Sequence, residues 1–575
     1  MKNLFTFLAS LVLCTNVFSQ QEPVSQVNDS TKLEVLNEVM VSAVRVKATS
    51  PITHSNVTKE QIAQRNLGQD LPILLNYLPS VVTTTDAGAG VGYTGIRVRG
   101  INAQSTNITI NGIPYNDAES LGTFWVNLGD FASSVESLQL QRGVGTSSNG
   151  SGAFGASINI LTDAISEKSY AEFANSFGSF NTRKHTLKFS TGLLNNHFEV
   201  AGRLSAIKSD GYIDRASSDL KSYFLQGSYV DDNRVIKAIT FSGKEITYQS
   251  WNGLEDLEKL QNDRTYNTAG EYVDANGNIQ FYENEVDNYQ QDHYQLHWNE
   301  RYNNYWSTNL ALNYTYGRGY FEQFKEDESL SDYGLEDISI GNETVSETDL
   351  VRRRWLDNNF YVINANANFK KNHIDAIFGG SYSYYDGDHF GEIIWAQFAS
   401  NSMNTDRYYN GNGKKTDINF FGKTNYKVND KISLFADLQL RLVAYKTTGL
   451  TSDRIPLVVD ENYTFFNPKA GITYMLNSNN SLYFSYARAN REPNRDDFEN
   501  NAIIKPEQLN DFELGWRFKN NRFRLNANTY FMLYNEQLVL TGNIDNVGNP
   551  IRTNSGESYR LGYRSLFLKR YLRIK

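Results

Sequence analysis

Trp306-Ser307-Thr308-Asn309-Leu310-Ala311-Leu312-Asn313-Tyr314-Thr315-Tyr316 alternates without a break: Trp, Thr, Leu, Leu, Tyr and Tyr at even positions, Ser, Asn, Ala, Asn and Thr at odd ones. A period of two sends each set to its own face of a strand, so one face is apolar and aromatic and the other is wet. Ile432, Leu434, Ala436, Leu438, Leu440 and Leu442 alternate in the same way with Ser433, Phe435, Asp437, Gln439 and Arg441. So do Phe512, Leu514, Trp516 and Phe518 with Glu513, Gly515, Arg517 and Lys519. Such patterns predict half-buried antiparallel strands.

The connections decide which kind of sheet these strands build. Very short turns near 194–197, 231–233, 302–304, 370–373, 429–430, 477–480 and 520–521 alternate with long polar loops at 245–288, 319–357, 387–414, 447–466, 490–507 and 535–557. Tight turns on one rim and long loops on the other describe an outer-membrane barrel. Many strands begin or end in Tyr, Trp or Phe, as interfacial girdles require. About 16 strands can be read between Tyr170 and Lys575.

Composition agrees. The 575 residues include 36 Tyr, 33 Phe and 7 Trp but only 10 Pro, and an aromatic fraction of 13% argues against disorder. A formal charge of −9 with no clustered basic surface gives no footprint for nucleic acid. No apolar run of about 18 residues follows the first 20 or so, which excludes helical membrane spans. At the N-terminus Lys2, the apolar run Leu4–Leu13 and Val17-Phe18-Ser19 before Gln20 read as a cleaved signal peptide over 1–19. Leu13 stands where a lipoprotein cleavage site needs a small residue, so no lipid anchor is expected at Cys14. Cys14 is the single cysteine, and its removal with the signal leaves a chain without disulfides or thiolate metal sites.

Residues 20–35 are polar and aperiodic and read as a flexible periplasmic tail. Residues 36–43 form a short β-prone segment, and 44–164 a compact α+β unit. Within that unit Thr58 and Gln61 form a capping box for a helix ending at Gly68, and a second helix is expected from Asp70 to Tyr77. Short strands follow at Ile96–Val98, Asn107–Ile110, Glu136–Gln141 and Ser157–Leu161, and residues 165–575 hold the barrel strands.

Several motifs carry a resemblance. Gly95-Ile96-Arg97-Val98-Arg99-Gly100 is followed by Ile108-Thr109-Ile110-Asn111-Gly112-Ile113-Pro114-Tyr115-Asn116-Asp117, Leu138-Gln139-Leu140-Gln141-Arg142-Gly143 and the Gly-rich 150–160. Asn467-Pro468-Lys469-Ala470-Gly471, Arg491-Glu492-Pro493-Asn494 and Lys505-Pro506-Glu507 follow downstream. In order and spacing these resemble TonB-dependent outer-membrane receptors over nearly the whole chain. The resemblance implies an all-β transmembrane barrel of 22 strands, with an N-terminal α+β plug domain in its lumen. It implies an importer, most commonly of a ferric siderophore or other iron chelate, energised by the periplasmic protein TonB. It makes Leu36, Asn37, Glu38, Val39, Met40, Val41, Ser42 and Ala43 the candidate TonB box, bound by β-augmentation. It marks Gly95, Arg97, Gly100, Asn111, Gly112 and Gly143 as plug motif residues. It also implies that Arg99 and Arg142 face acidic groups on the barrel wall. Strand parity offers Glu513 as their partner, making a plug-barrel lock.

No Gly-x-Ser-x-Gly elbow, Walker loop or HExxH motif is present, so an enzyme is not expected, and neither is a cofactor. Of seven His residues only His293 and His297 are closely spaced. They are read as facing apart and as lumen or rim residues rather than metal ligands. Tyr382–Phe390 and Tyr408-Tyr409 suit a ligand cup or, more simply, an interfacial girdle. The expected partners are TonB, outer-membrane lipid and a small iron chelate. Other readings are a non-transporting adhesion barrel, a TonB-dependent importer of cobalamin or an oligosaccharide, and an inactive truncated receptor. The last arises because the chain stops at Arg570-Tyr571-Leu572-Arg573-Ile574-Lys575 without an aromatic terminal strand. Six further strands would need about 150 residues, so an incomplete barrel with an open edge is expected.

Overall fold

The computed structural model describes residues 45–47, 50–149, 154–254, 256–544 and 550–569. The signal peptide, the tail and the candidate TonB box therefore lie outside the described residues, as do 570–575.

The N-terminal unit is built from β1 (His54–Thr58), α1 (Lys59–Ala63), α2 (Leu71–Leu74), β2 (Val81–Thr85), β3 (Thr94–Val98), β4 (Thr106–Ile110), β5 (Ile113–Pro114), β6 (Val135–Arg142) and β7 (Ala156–Thr162). The capping box forms as read: Thr58 Oγ1 accepts from the Gln61 amide and Gln61 reaches back to the Thr58 amide. Both helices are shorter than expected, because Gly68 and Pro79 bound turns rather than helix ends. A five-stranded sheet runs β1-β6-β7-β4-β5, parallel only between β4 and β7. Val57, Ile62, Leu71, Leu74, Ile96, Val98, Ile108, Leu138, Leu140, Ile158 and Ile160 bury their side chains around it. Each such burial is worth roughly 1.5–3 kcal/mol. The core does not stop at the domain's surface. Phe131 packs on Phe241 of the surrounding wall with centroids 5.2 Å apart, so plug and barrel share one apolar cluster.

Around this unit, among the described residues, seventeen strands close a barrel, from Tyr170–Phe177 to Glu557–Lys569. Pro456–Phe466 and Lys469–Asn477 pair with successive halves of Ile432–Leu450, so sixteen positions make the ring. The short turns and long loops segregate to opposite rims, but the loops are shorter than the sequence suggests. Trp306–Ser329, Glu347–Lys371 and Ile374–Ala396 continue as paired ribbons well past the apolar zone. Above the membrane both faces are wet, so the alternation that marks a strand fades while the ladder persists.

The expectation of an open edge is corrected: the ring is continuous. Its weakest joint is between Tyr170–Phe177 and Glu557–Lys569. These two are neighbours, yet no residue-by-residue register joins them among the described residues. Nearly every position of Tyr170–Phe177 is exposed on both faces.

The two faces of the wall obey the parity rule. Leu310 and Leu312 point outward while Asn309 and Asn313 are buried against the lumen. Tyr294, Tyr314, Tyr361 and Tyr384 stack across four adjacent strands on the outer face, at 6.0, 5.0 and 6.5 Å. Tyr382 is likewise an outward residue, whereas Tyr385, Tyr408 and Tyr409 are buried, so that stretch is only partly girdle. Leu514 is 56% exposed on the lipid side. Leu514→Arg is expected to cost about 2–4 kcal/mol of folding stability, read as a lower urea midpoint for refolding into lipid vesicles.

Candidate functional site: the plug-barrel interface

Arg99 sits in the left-handed region (φ 56°) just after β3, a conformation that costs a non-glycine residue about 1 kcal/mol. That turn aims the side chain at the wall strand Glu507–Lys519. Nη1 donates to Glu513 Oε1 at 2.6 Å, and Asp511 Oδ2 lies at 3.9 Å. Thr53 Oγ1 donates to the other Glu513 oxygen at 2.5 Å, and Tyr530 places its ring 4.1 Å from the guanidinium carbon. Burial alone would lower the Arg99 pKa, but the Glu513 and Asp511 carboxylates outweigh it and hold the guanidinium firmly charged. Gly143 makes room for this cluster. Its φ is +75°, and a methyl there would come within 2.9 Å of Glu513 Oε1.

Arg142 corrects the expected lock. Its Nε and Nη2 donate to the Pro79 carbonyl at 3.1 and 2.9 Å, and Nη1 donates to Ser55 at 3.0 Å. It braces the plug internally. Burial, reinforced by nearby Arg564 and Arg99, pushes its pKa well down, against the pull of Glu513. The remaining motif residues shape backbone. Gly100 and Gly112 adopt φ of +70° and +82°, and Asn111 takes φ 54° while its side chain bonds Thr162. Gly95 lies against Thr84 within the β2-β3 hairpin, and Arg97 is exposed.

Sequence reasoning missed two further anchors. Asp130, left-handed at φ 50°, is buried against the strands Arg183–Ser190 and Phe198–Ser209. It lies 2.7 Å from Lys184 Nζ and accepts from Thr186 and Ser205 hydroxyls, each at 2.6 Å. The Arg203 guanidinium donates to its backbone carbonyl. At the loop-side apex Glu119 accepts from Tyr445 at 2.6 Å and Arg495 at 3.1 Å, with His389 Nε2 at 2.8 Å. Both acids follow turn-forming Gly or Asn-Asp runs, but the wall cations that meet them come from distant strands and leave no local sequence signal. Asp511 was legible, since it shares the parity of Glu513 two residues on.

His293 and His297 share the lumen face, as residues four apart on a strand must. The expectation that they face apart is thus corrected. Among the described residues no group of three or more His, Cys, Asp or Glu side chains is arranged to hold a metal ion.

Removing one partner of a buried pair costs roughly 3–5 kcal/mol, because the other charge is left uncompensated. Glu513→Gln is expected to lower the urea midpoint of plug release and to raise passive influx of a large glycopeptide antibiotic, and unchanged influx would remove the lock. Burial raises the Asp130 pKa, but Arg203 and Lys184 overcome it and bring the carboxyl from 3.8 to about 2. Its contribution to docking, on the order of 2 kcal/mol, is therefore complete above pH about 4 and lost as pH falls toward 2. Acid-induced protease access to the plug, flattened in Asp130→Asn, checks this.

The family model described as TonB-dependent Receptor Plug Domain matches residues 46–157, and that for the TonB dependent receptor-like beta-barrel matches 227–563. The ferric enterobactin receptor of Pseudomonas aeruginosa is 23% identical over 225 residues, which is 36% of this chain. The probable TonB-dependent siderophore receptor PirA of Acinetobacter baumannii is 23% identical over 243 residues, which is 40% of this chain. The chain matches 30% of the length of each of these relatives. Two solved structures with the same fold are the copper transporter OprC (TM-score 0.71, 13% identity, 92% of this chain and 80% of that one) and the unliganded ferric citrate transporter FecA (TM-score 0.67, 14% identity, 95% and 77%). With a plug docked inside a closed barrel, and a barrel model covering more than half of its length, the chain belongs to the TonB-dependent receptor family.

Proposed function

We propose that this chain imports a ferric siderophore or other iron chelate across the outer membrane, drawing energy from TonB through Leu36–Ala43. The observation that carries the reading is the docked plug. A ring of sixteen positions would otherwise leave an aqueous lumen, and here a separately folded domain occupies it, held by buried ion pairs at Glu513, Asp130 and Glu119. A seal of that kind needs an energy input to open, and the outer membrane has no nucleotide supply. A β-prone sequence ahead of the plug suits a partner's sheet edge, through which a pull would reach the plug. Arg99 and Glu513 make the lock that yields to it. The similarity to a ferric enterobactin receptor and to a probable siderophore receptor favours an iron chelate.

Deleting Leu36–Ala43 is expected to stop uptake of radiolabelled ferric enterobactin and ferric citrate, tested in parallel with cobalamin and an oligosaccharide, while surface binding of the accepted compound persists. Uptake that survives the deletion would contradict the TonB route. Uptake of cobalamin or the oligosaccharide, and of neither iron compound, would replace the ligand class.

A further inference from the structure

The lumen wall is not electrically uniform. On the strands Arg183–Ser190, Phe198–Ser209 and Arg234–Tyr248 it presents Lys184, Lys188, Arg203 and Lys237 to the plug. On the strands from Arg407 to Lys519 it presents Lys415, Asp417, Asp437, Arg441, Asp511 and Glu513. Between these two charged walls lie four consecutive strands of a different character. The inward positions of 289–299, 307–319, 356–368 and 377–387 contain no Lys, Arg, Asp or Glu. They are amides, hydroxyls, small residues and a few apolar or ring side chains, with Gln295, Asn309, Asn313, Asn364, Asn368 and Ser381 at their centre. The charges on these stretches all take outward parity: Asp292, Arg318, Asp357 and Asp386.

The plug meets the two kinds of wall differently. On the charged sides its contacts are the buried pairs of Asp130 and Arg99 described above. These four strands hold the plug by charged groups only at their ends, where Lys47 pairs with Asp375 near the short-turn rim and Tyr93 meets Asp287 and Glu119 meets His389 toward the loops. Between those ends the β4-β5 turn makes one hydrogen bond from Asn364 Nδ2 to the Gly112 carbonyl at 2.7 Å and a marginal one from Asn111 to Gln295 at 3.4 Å, and Tyr115 lies 5.5 Å from the His293 ring. Ile113 adds a small apolar contact with Ala311 and Val362. A neutral hydrogen bond contributes about 1 kcal/mol net, well below the cost of breaking a buried ion pair. The uncharged middle of this side is thus where the plug is held least. It also keeps hydrogen-bonding capacity in reserve. Asn313 Oδ1, Asn368 Oδ1 and the Tyr385 hydroxyl are buried with no protein partner.

We infer that this uncharged sector is where the plug parts from the wall, and that it forms the path for a polar cargo rich in hydroxyl, amide or carbonyl groups. The inference rests on the importer reading and adds the route and the chemistry of its lining. A conduit must bind its cargo strongly enough to admit it and weakly enough to release it. Amides and hydroxyls exchange one hydrogen bond for another as cargo advances, whereas a lumen arginine or carboxylate would trap a counter-charge. The uncharged flank opens first, and the charged flanks, the Arg99–Glu513 lock among them, yield only to a larger load.

The test needs neither TonB nor the natural ligand, so its failure would leave the importer reading standing. The full chain is reconstituted in liposomes with Cys14, where retained, replaced by Ser. Raffinose, a neutral polyhydroxylated probe, is followed by liposome swelling as urea is raised to the first increase in influx. Two disulfide pairs are compared. Ile113→Cys with Ala311→Cys ties the plug to the uncharged sector, and Gly129→Cys with Leu220→Cys ties it to the charged one, where the two Cβ positions lie 3.4 Å apart. The first pair, oxidised, is expected to reduce influx at least tenfold and to recover on reduction, while the second stays within twofold of the untied chain. A second measurement guards against misfolding of either pair. Maleimide labelling of Asn313→Cys is expected to begin at lower urea than that of Ser228→Cys or Ser481→Cys. Those two lie nearer the short-turn rim, so easier access there works against the expectation. Influx blocked only by the Gly129-Leu220 pair, or labelling that starts at the charged walls or at all three sites together, would overturn the inference.

Discussion

A ring of sixteen strand positions encloses more space than its own inward side chains can fill. That geometric surplus governs everything else in the molecule. Narrow barrels solve the problem with side-chain layers, and this chain solves it with a whole domain. Two surfaces that would otherwise face water must then fit each other without becoming a permanent core. The solution observed is a mixed one. Phe131 and Phe241 join the two units in a single apolar cluster, while most of the remaining interface is polar and adjustable.

Polar interfaces of this size are held by few strong points. Arg99 with Glu513, Asp130 with Lys184 and Arg203, and Glu119 with Arg495 and Tyr445 are all shielded from solvent. Their attraction is therefore little screened by salt, and breaking any one leaves a stranded charge. Such contacts are steep rather than compliant, and they resist thermal fluctuation. Gly143 shows how closely the plug backbone must approach the wall for this, since no side chain fits between it and Glu513. The uncharged middle stretches of the four intervening strands have the opposite character, with contacts that can be exchanged one at a time.

Much of this was legible in the sequence because a membrane wall has only two faces. Alternation fixed the lumen parity of Glu513 from Phe512, Leu514 and Trp516 alone, and short turns against long loops gave the orientation of the rims. Gly112 and Asn111 were readable as turn residues. What escaped was non-local or lay beyond the membrane. Arg142 resembled Arg99 in position, but only the fold shows that Pro79 and Ser55 claim it first. Lys184 and Arg203 look like ordinary lumen cations until Asp130 is brought to them from a different domain. The loops were overextended because strands that leave the bilayer lose their period while keeping their hydrogen bonds, and the strand count alone suggested an edge where the ring in fact continues.

The central claim is that the plug seals a lumen which would otherwise conduct, and planar-bilayer recording of the intact chain tests it most directly. The account predicts no steady current in buffer, with discrete channel steps appearing in urea and disappearing when the urea is washed out. A steady, ohmic pore current in buffer alone would contradict it.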